Sequence, residues 1–168
     1  ATIFLATDLV NTGDTVWFCR LNRALTKTNR QVVQWNQCSF ELGNPAGRAH
    51  AYLAMSAMLK ELPQPRLLAE MRVIQERLGV SPDEPIEPDS PYRMLDFAAI
   101  EQLLGSGLID FGGHTRTHAI LSRLSSSDQR AEIERSIAAV AGWMGRRCTL
   151  FAYPNGGRTD YGATALEA

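Results

Sequence analysis

The sequence predicts an α/β fold interrupted by a mainly helical insertion, and three observations carry that prediction. A short apolar segment, Ala1 to Thr7, opens the chain with the character of a buried strand. A helix–strand–helix–strand rhythm with short links runs from Asp96 to Tyr153, the signature of parallel βαβ connection. Between these ends, residues 10–93 change texture to helical stripes and one small hairpin. The 168 residues suit one domain with a buried core. Hydrophobic residues make up 45% and charged residues 21%, which excludes a disordered chain. A net charge of −1 argues against a nucleic-acid surface, because duplex binding needs a basic stripe. No apolar run reaches the roughly 18 residues of a membrane span.

Each element follows from local pattern. After the first strand comes a polar loop, Asp8 to Thr15, and then Trp17, Leu21 and Leu25 recur at helical spacing. From Gln31 to Leu42 the pattern alternates: Val33 and Trp35 point one way, and Cys38, Phe40 and Leu42 follow after a phase shift at Asn36-Gln37. That predicts a hairpin rather than one strand. Residues 48–79 are helical by period, with one stripe of Tyr52, Met55, Leu59 and Leu62 and another of Leu67, Met71, Ile74 and Leu78. Pro63 and Pro65 divide the two helices, and Gly79 caps the second. These helices are expected to open more readily than the strands. Residues 81–91, rich in Pro and acidic residues, read as a linker or extended surface loop.

Asp96 then caps a helix with Phe97, Ile100, Leu103 and Leu104 inward, ended by Gly105 and Gly107. Leu108 to Phe111 read as a strand. Ser125 and Asp128 resemble a capping box opening a helix that buries Ile133, Ile137, Val140 and Met144. Gly145 stops it, and Cys148 to Tyr153 form the next predicted strand. The three cysteines, Cys19, Cys38 and Cys148, have no metal-knuckle spacing and read as buried or inert thiols, with a Cys19–Cys38 disulfide left open.

The chemistry concentrates after the last two predicted strands. Gly112-Gly113-His114-Thr115-Arg116-Thr117-His118 holds two of the three histidines, four residues apart. On one helical turn their rings would share a face and chelate one divalent ion. Gly112 and Gly113 are read as letting the chain turn sharply at the strand's end, where ligand sites collect in parallel α/β folds. No Glu follows His114, which excludes the HExxH protease motif. Phe151-Ala152-Tyr153-Pro154-Asn155-Gly156-Gly157 turns the chain at the next strand end and exposes backbone N–H groups suited to an oxyanion. Asp8 ends the first strand, Asp110 lies inside the strand before the histidines, and His50 falls on a solvated helix face; none of the three reads as catalytic.

Taken together, FGGHTRTH, the following ILSRLS, the capped helix and FAYPNGG resemble polysaccharide deacetylases of the NodB-homology type, carbohydrate esterase family 4. The resemblance covers roughly residues 1–9 and 92–168, with Ala1–Thr7 similar to that family's second strand and the middle similar to a helical insertion of some bacterial members. It implies part of a distorted (β/α) barrel and metal-dependent removal of an acetyl group from an N-acetylated glycan. His114 and His118 are then the imidazole ligands of a divalent metal, usually zinc. Asn155 falls where a backbone N–H stabilises the oxyanion, Tyr153 and Pro154 shape the groove, and Thr115 and Thr117 support the ligands. A cell-envelope or secreted placement is what the resemblance favours.

The departures are as informative. The family's aspartate pair, giving the base and the third ligand, belongs upstream of the Ala1–Thr7 strand, and its general-acid histidine belongs beyond Ala168. An Arg of the third motif is replaced by Ala152. The expectation is an incomplete catalytic domain over 1–168, itself inactive. Two other readings stay open: a deacylase of a small amide, and a non-catalytic relic that binds a glycan or partner.

Overall fold

The computed structural model describes residues Ala1–Ala168. The chain divides into two compact units: Thr15–Ile86, and Ala1–Asp14 with Glu87–Ala168.

In the Thr15–Ile86 unit, helix α1 (Trp17–Lys27) precedes a hairpin of β2 (Val32–Trp35) and β3 (Cys38–Glu41). The strands are antiparallel, with Val33 opposite Phe40 and Trp35 opposite Cys38. The two residues between them, Asn36 and Gln37, have φ of 50° and 63°. A two-residue loop with both centres left-handed matches the strand twist, which explains the phase shift in the apolar pattern. Helix α2 (Pro45–Lys60) starts at Asn44, whose side chain accepts from the Gly47 N–H, with Pro45 in the first turn. Helix α3 (Gln64–Arg77) starts after Pro63 and ends before Gly79, which is left-handed at φ +73°.

One core joins these elements. Trp17, Leu21 and Leu25 of α1 meet Val33, Trp35 and Phe40 of the hairpin and the Met55, Leu59, Leu67, Met71 and Ile74 stripes. This is the largest core cluster of the molecule. Cys38 is exposed rather than buried, and all three cysteines are free thiols.

The Pro-rich acidic stretch is likewise no loose linker up to Ile86. Arg20 donates to the Pro82 carbonyl, and Arg23 donates to Glu84 and the Pro85 carbonyl. Lys27 pairs with Glu84 at 3.0 Å, Arg72 grips Asp83 through two hydrogen bonds, and Ile86 is buried. Three cations spaced along one face of α1 therefore strap the segment down, a pairing invisible in a local reading of proline content.

In the other unit, β1 (Thr2–Leu5) lies parallel to β4 (Asp110–Gly113), with Thr2 opposite Asp110 and Leu5 opposite Gly113. The segment Thr7–Leu9 forms a 3-10 turn at the end of β1. Helix α4 (Phe97–Gly105) is capped by Asp96, whose carboxylate accepts from the Ala99 N–H. Ile100 is buried, but Phe97 is half exposed, with its edge against Trp143. Leu108 is 76% exposed, so the strand begins two residues later than its apolar run implies. Left-handed Gly107 explains the delay, because the chain is still turning there.

Helix α5 (Ser126–Met144) packs on β4 and buries Ile133, Ser136 and Val140. Ser125 caps it, accepting from the Asp128 N–H and donating to the Asp128 carboxylate, and Gly145 ends it at φ 66°. The last short helix is α6 (Ala163–Glu167).

The predicted strand over 148–153 reduces to a single parallel bridge between Gly113 and Phe151. Gly113 donates to the Leu150 carbonyl and accepts from the Ala152 N–H. The ladder stops there because the Phe111 N–H, next in line, bonds to the Asp110 carboxylate instead. The result still sets the direction of the segment: β1, β4 and residue 151 run side by side in the same sense.

Candidate functional site

Gly112 and Gly113 do not turn the chain, contrary to the reading of the sequence. Both belong to β4, and they make room. A Cβ on Gly112 would meet the Phe4 ring at 2.6 Å and the Leu150 carbonyl oxygen at 2.9 Å. A Cβ on Gly113 would meet Ser136 Oγ at 2.9 Å and the Phe151 ring at 3.1 Å. The glycines thus let α5 and the Leu150–Ala152 backbone approach β4 from either side.

The turn itself lies one residue on, at His114 to His118, and it is not helical. Thr115 and His118 have φ of 62° and 58°. Left-handed backbone costs a side-chain-bearing residue roughly 1–2 kcal/mol, more for a β-branched one such as Thr115. Two left-handed residues nevertheless fold the ends of the motif together, and the His114 and His118 rings sit edge to face, with centroids 4.7 Å apart at 83°. The two rings come together as their spacing implies, but through a non-helical turn and not along one helix face.

Four sets of bonds hold this turn. The Leu5 carbonyl accepts from His114 N–H, Thr7 N–H donates to the Thr115 carbonyl, and Asp8 N–H donates to that of Arg116, extending the β1 pairing past the strand. The Arg116 guanidinium forms a two-pronged pair with the Asp8 carboxylate at 2.6 and 3.1 Å. Glu132 of α5 accepts from the Arg116 and Thr117 N–H groups at 2.7 and 3.0 Å through Oε2, and from the Thr117 hydroxyl at 3.1 Å through Oε1. Finally, His114 Nδ1 lies 2.7 Å from the Ala152 carbonyl oxygen.

That last contact decides a tautomer. A carbonyl only accepts, so Nδ1 carries the proton and Nε2 presents its lone pair. Burial pushes the His114 pKa below its ordinary value, with the Ala152 carbonyl opposing, so the ring is neutral at pH 7. His118 is buried, and Thr115 is fully buried with its hydroxyl oxygen lacking a hydrogen-bond partner.

The other sequence candidates fall apart from the pair or are engaged. Asp8 is held by Arg116. Asp110 lies at the opposite end of β4 and pairs with Arg146 at 2.8 Å. His50 is exposed on α2 in the other unit. Tyr153 stacks on Tyr161 at 4.5 Å, meets Phe151 edge-on and donates its hydroxyl to the Ala165 carbonyl. Pro154 is buried, while Asn155 is exposed in a left-handed conformation at φ 62°. The sequence reading passed over Glu132. The available signal was a polar row, Gln129, Glu132 and Ser136, lying at helical spacing along the face that also buries Ile133.

As a metal site the donors fit two positions. Two imidazoles are adjacent, and one is oriented by a backbone carbonyl as metal-ligating histidines ordinarily are. No third His, Cys, Asp or Glu joins them. Catalytic zinc ordinarily takes three protein ligands.

Parallel strands ending in a paired-imidazole turn give this part of the chain an α/β architecture, with the two imidazoles at the C-terminal end of β4. Residues 93–168 match the family model described as polysaccharide deacetylase, so that stretch is similar to that family. Neither the curated proteins nor the solved structures yield a match to the chain.

Proposed function

We propose that this chain is an incomplete catalytic domain of a metal-dependent hydrolase that removes the acetyl group from an N-acetylated sugar in a polysaccharide. The observation that carries the reading is the convergence of the His114 and His118 rings, 4.7 Å apart, at the C-terminal end of β4. The deacetylase family match over residues 93–168 supports it, as does the parallel run of β1, β4 and Phe151, which suits a portion of a distorted (β/α) barrel.

In this reading His114 and His118 hold a divalent metal, zinc by preference, which supplies Lewis acidity for hydrolysis of the amide. The chain's own residues do the rest. Burial keeps His114 neutral, and the Ala152 carbonyl turns its Nε2 into the donor. The Asn155 N–H, in its exposed left-handed turn, is assigned the oxyanion contact. Pro154 and the Tyr153 ring, whose hydroxyl is already bonded, form the groove wall. Asp8 and Asp110 are both held by arginines, so neither is assigned as the third ligand or the base.

Titration with Co²⁺ tests the reading. Weak binding, abolished by His114→Ala or His118→Ala, is the expected result, with no turnover of an N-acetylated oligosaccharide until flanking sequence is restored. Tight binding indifferent to both substitutions removes the metal assignment. Turnover by residues 1–168 alone removes the reading of an incomplete catalytic domain.

A further inference from the structure

We propose that Glu132 is the positioning residue of the two-histidine turn, an internal side-chain acceptor on which the convergence of His114 and His118 depends. This rests on the metal reading for its use, but not for its geometry. The turn places the Arg116 and Thr117 N–H groups in succession directly after left-handed Thr115. Successive backbone N–H groups in such a turn form a concavity that binds anions. Here the anion is supplied from within: one oxygen of Glu132 takes both N–H groups, at 2.7 and 3.0 Å, and the other takes the Thr117 hydroxyl.

The neighbouring bonds cannot replace it. Thr7 and Asp8 donate to the carbonyls of Thr115 and Arg116, which leaves the N–H side of the turn to Glu132. The Asp8–Arg116 pair grips a side chain that is one-third exposed and does not constrain the backbone amides. Glu132 is also rigidly mounted. It lies mid-helix in α5, one turn from Ser136, which is fully buried beneath the position where a Cβ on Gly113 would point. The helix that packs on β4 therefore also sets the conformation of the loop leaving β4. Without an acceptor at this position, the turn loses the hydrogen bonds that offset the strain of its left-handed residues, and the two rings separate.

The experiment uses the 168-residue chain and reads the metal-free protein first. In the wild type, ring protons of His114 and His118 should show a strong mutual nuclear Overhauser effect. In Glu132→Ala that effect should disappear, while the fold of the rest of the chain persists by amide exchange. Added formate, small enough to occupy the vacated concavity, should restore it, which a purely packing role for Glu132 would not allow. Glu132→Gln, which keeps an acceptor for the two N–H groups, should retain the ring contact; it also carries the test if the alanine variant does not fold. Co²⁺ affinity should fall at least tenfold in Glu132→Ala and less in Glu132→Gln. An unchanged ring contact in Glu132→Ala, or its loss in Glu132→Gln to the same extent as in a turn-disrupting variant such as Thr115→Pro, overturns the proposal. Failure of the wild type to bind Co²⁺ overturns the metal reading alone, because the metal-free ring contact still decides the role of Glu132.

Discussion

His114 Nδ1 lies 2.7 Å from the carbonyl oxygen of Ala152, a residue thirty-eight positions further along the chain. The bond joins the two motifs that the sequence separates, and it exists because Gly113 pairs on either side of Phe151. It fixes the imidazole tautomer and turns the ring toward His118.

The first prediction concerns pH. Burial holds the His114 pKa below that of a free imidazole, about 6.5. The unfolded chain therefore binds a proton at a higher pH than the folded one. This contribution to stability is fully present above about pH 6.5 and is lost as pH falls from there toward the lower folded value. Urea unfolding at pH 7.5 and 5.5 should show lower stability at the acidic value, and His114→Gln should flatten that slope. A proton-resonance titration of His114 with a midpoint above that of a free imidazole would contradict it.

Gly112→Ala should destabilise the protein by about 1–3 kcal/mol, the ordinary cost of overpacking. Its Cβ would sit 2.9 Å from the Leu150 carbonyl, which is backbone and cannot swing away as the Phe4 ring can. Gly142→Ala is the control. Nothing lies within 4 Å of that position, and it is inside α5, so alanine should stabilise by about 0.5–1 kcal/mol. Denaturant midpoints of the two variants should move in opposite directions.

Arg48 ties together the end of α1, the exit of β3 and the first turn of α2. Its guanidinium donates to the carbonyls of Leu42, Leu25, Thr26 and Thr28 at 2.7–3.1 Å. Arg48→Ala should cost about 2–4 kcal/mol, since several carbonyls lose a charged donor at once. Arg48→Lys should recover little of it, because one ammonium cannot reach four acceptors that a planar fork spans. Equal stability of the lysine variant and the wild type would show that charge alone matters there.

The strap over residues 82–86 should loosen in acid. Hydrogen bonding to Arg72 lowers the Asp83 pKa, and hydrogen bonding to Lys27 lowers that of Glu84, against a smaller opposing effect of burial. A depressed carboxyl contributes above its ordinary value and loses that contribution as pH falls through its folded value, so release is expected below about pH 4. Amide exchange of Glu84 to Ile86 between pH 6 and pH 3, corrected for intrinsic rates, should show the opening. In 1 M salt the exposed Arg72–Asp83 pair should weaken more than the contact of buried Arg23 with Glu84.

Much of the secondary structure is local in origin and was legible in the residues. Asp96 and Ser125 cap their helices, Gly79 and Gly145 end theirs in left-handed conformations, and Asn36-Gln37 makes the hairpin turn. Such features depend on backbone preferences and apolar period within a few residues.

What the residues by themselves determined was the elements, their polarity pattern and the His114–His118 pair as the place to look. The tertiary structure decided the rest. It made Gly112 and Gly113 spacers instead of turns, took the Phe111 N–H for Asp110 and so cut a strand to one bridge, and bound the Pro-rich segment to α1. It also brought Glu132 under a non-helical turn and Ala152 against His114. The physical reason is range: a cap or a hydrophobic stripe is chosen by neighbours in sequence, whereas the partner of a buried amide or imidazole is chosen by whichever distant chain the packing delivers.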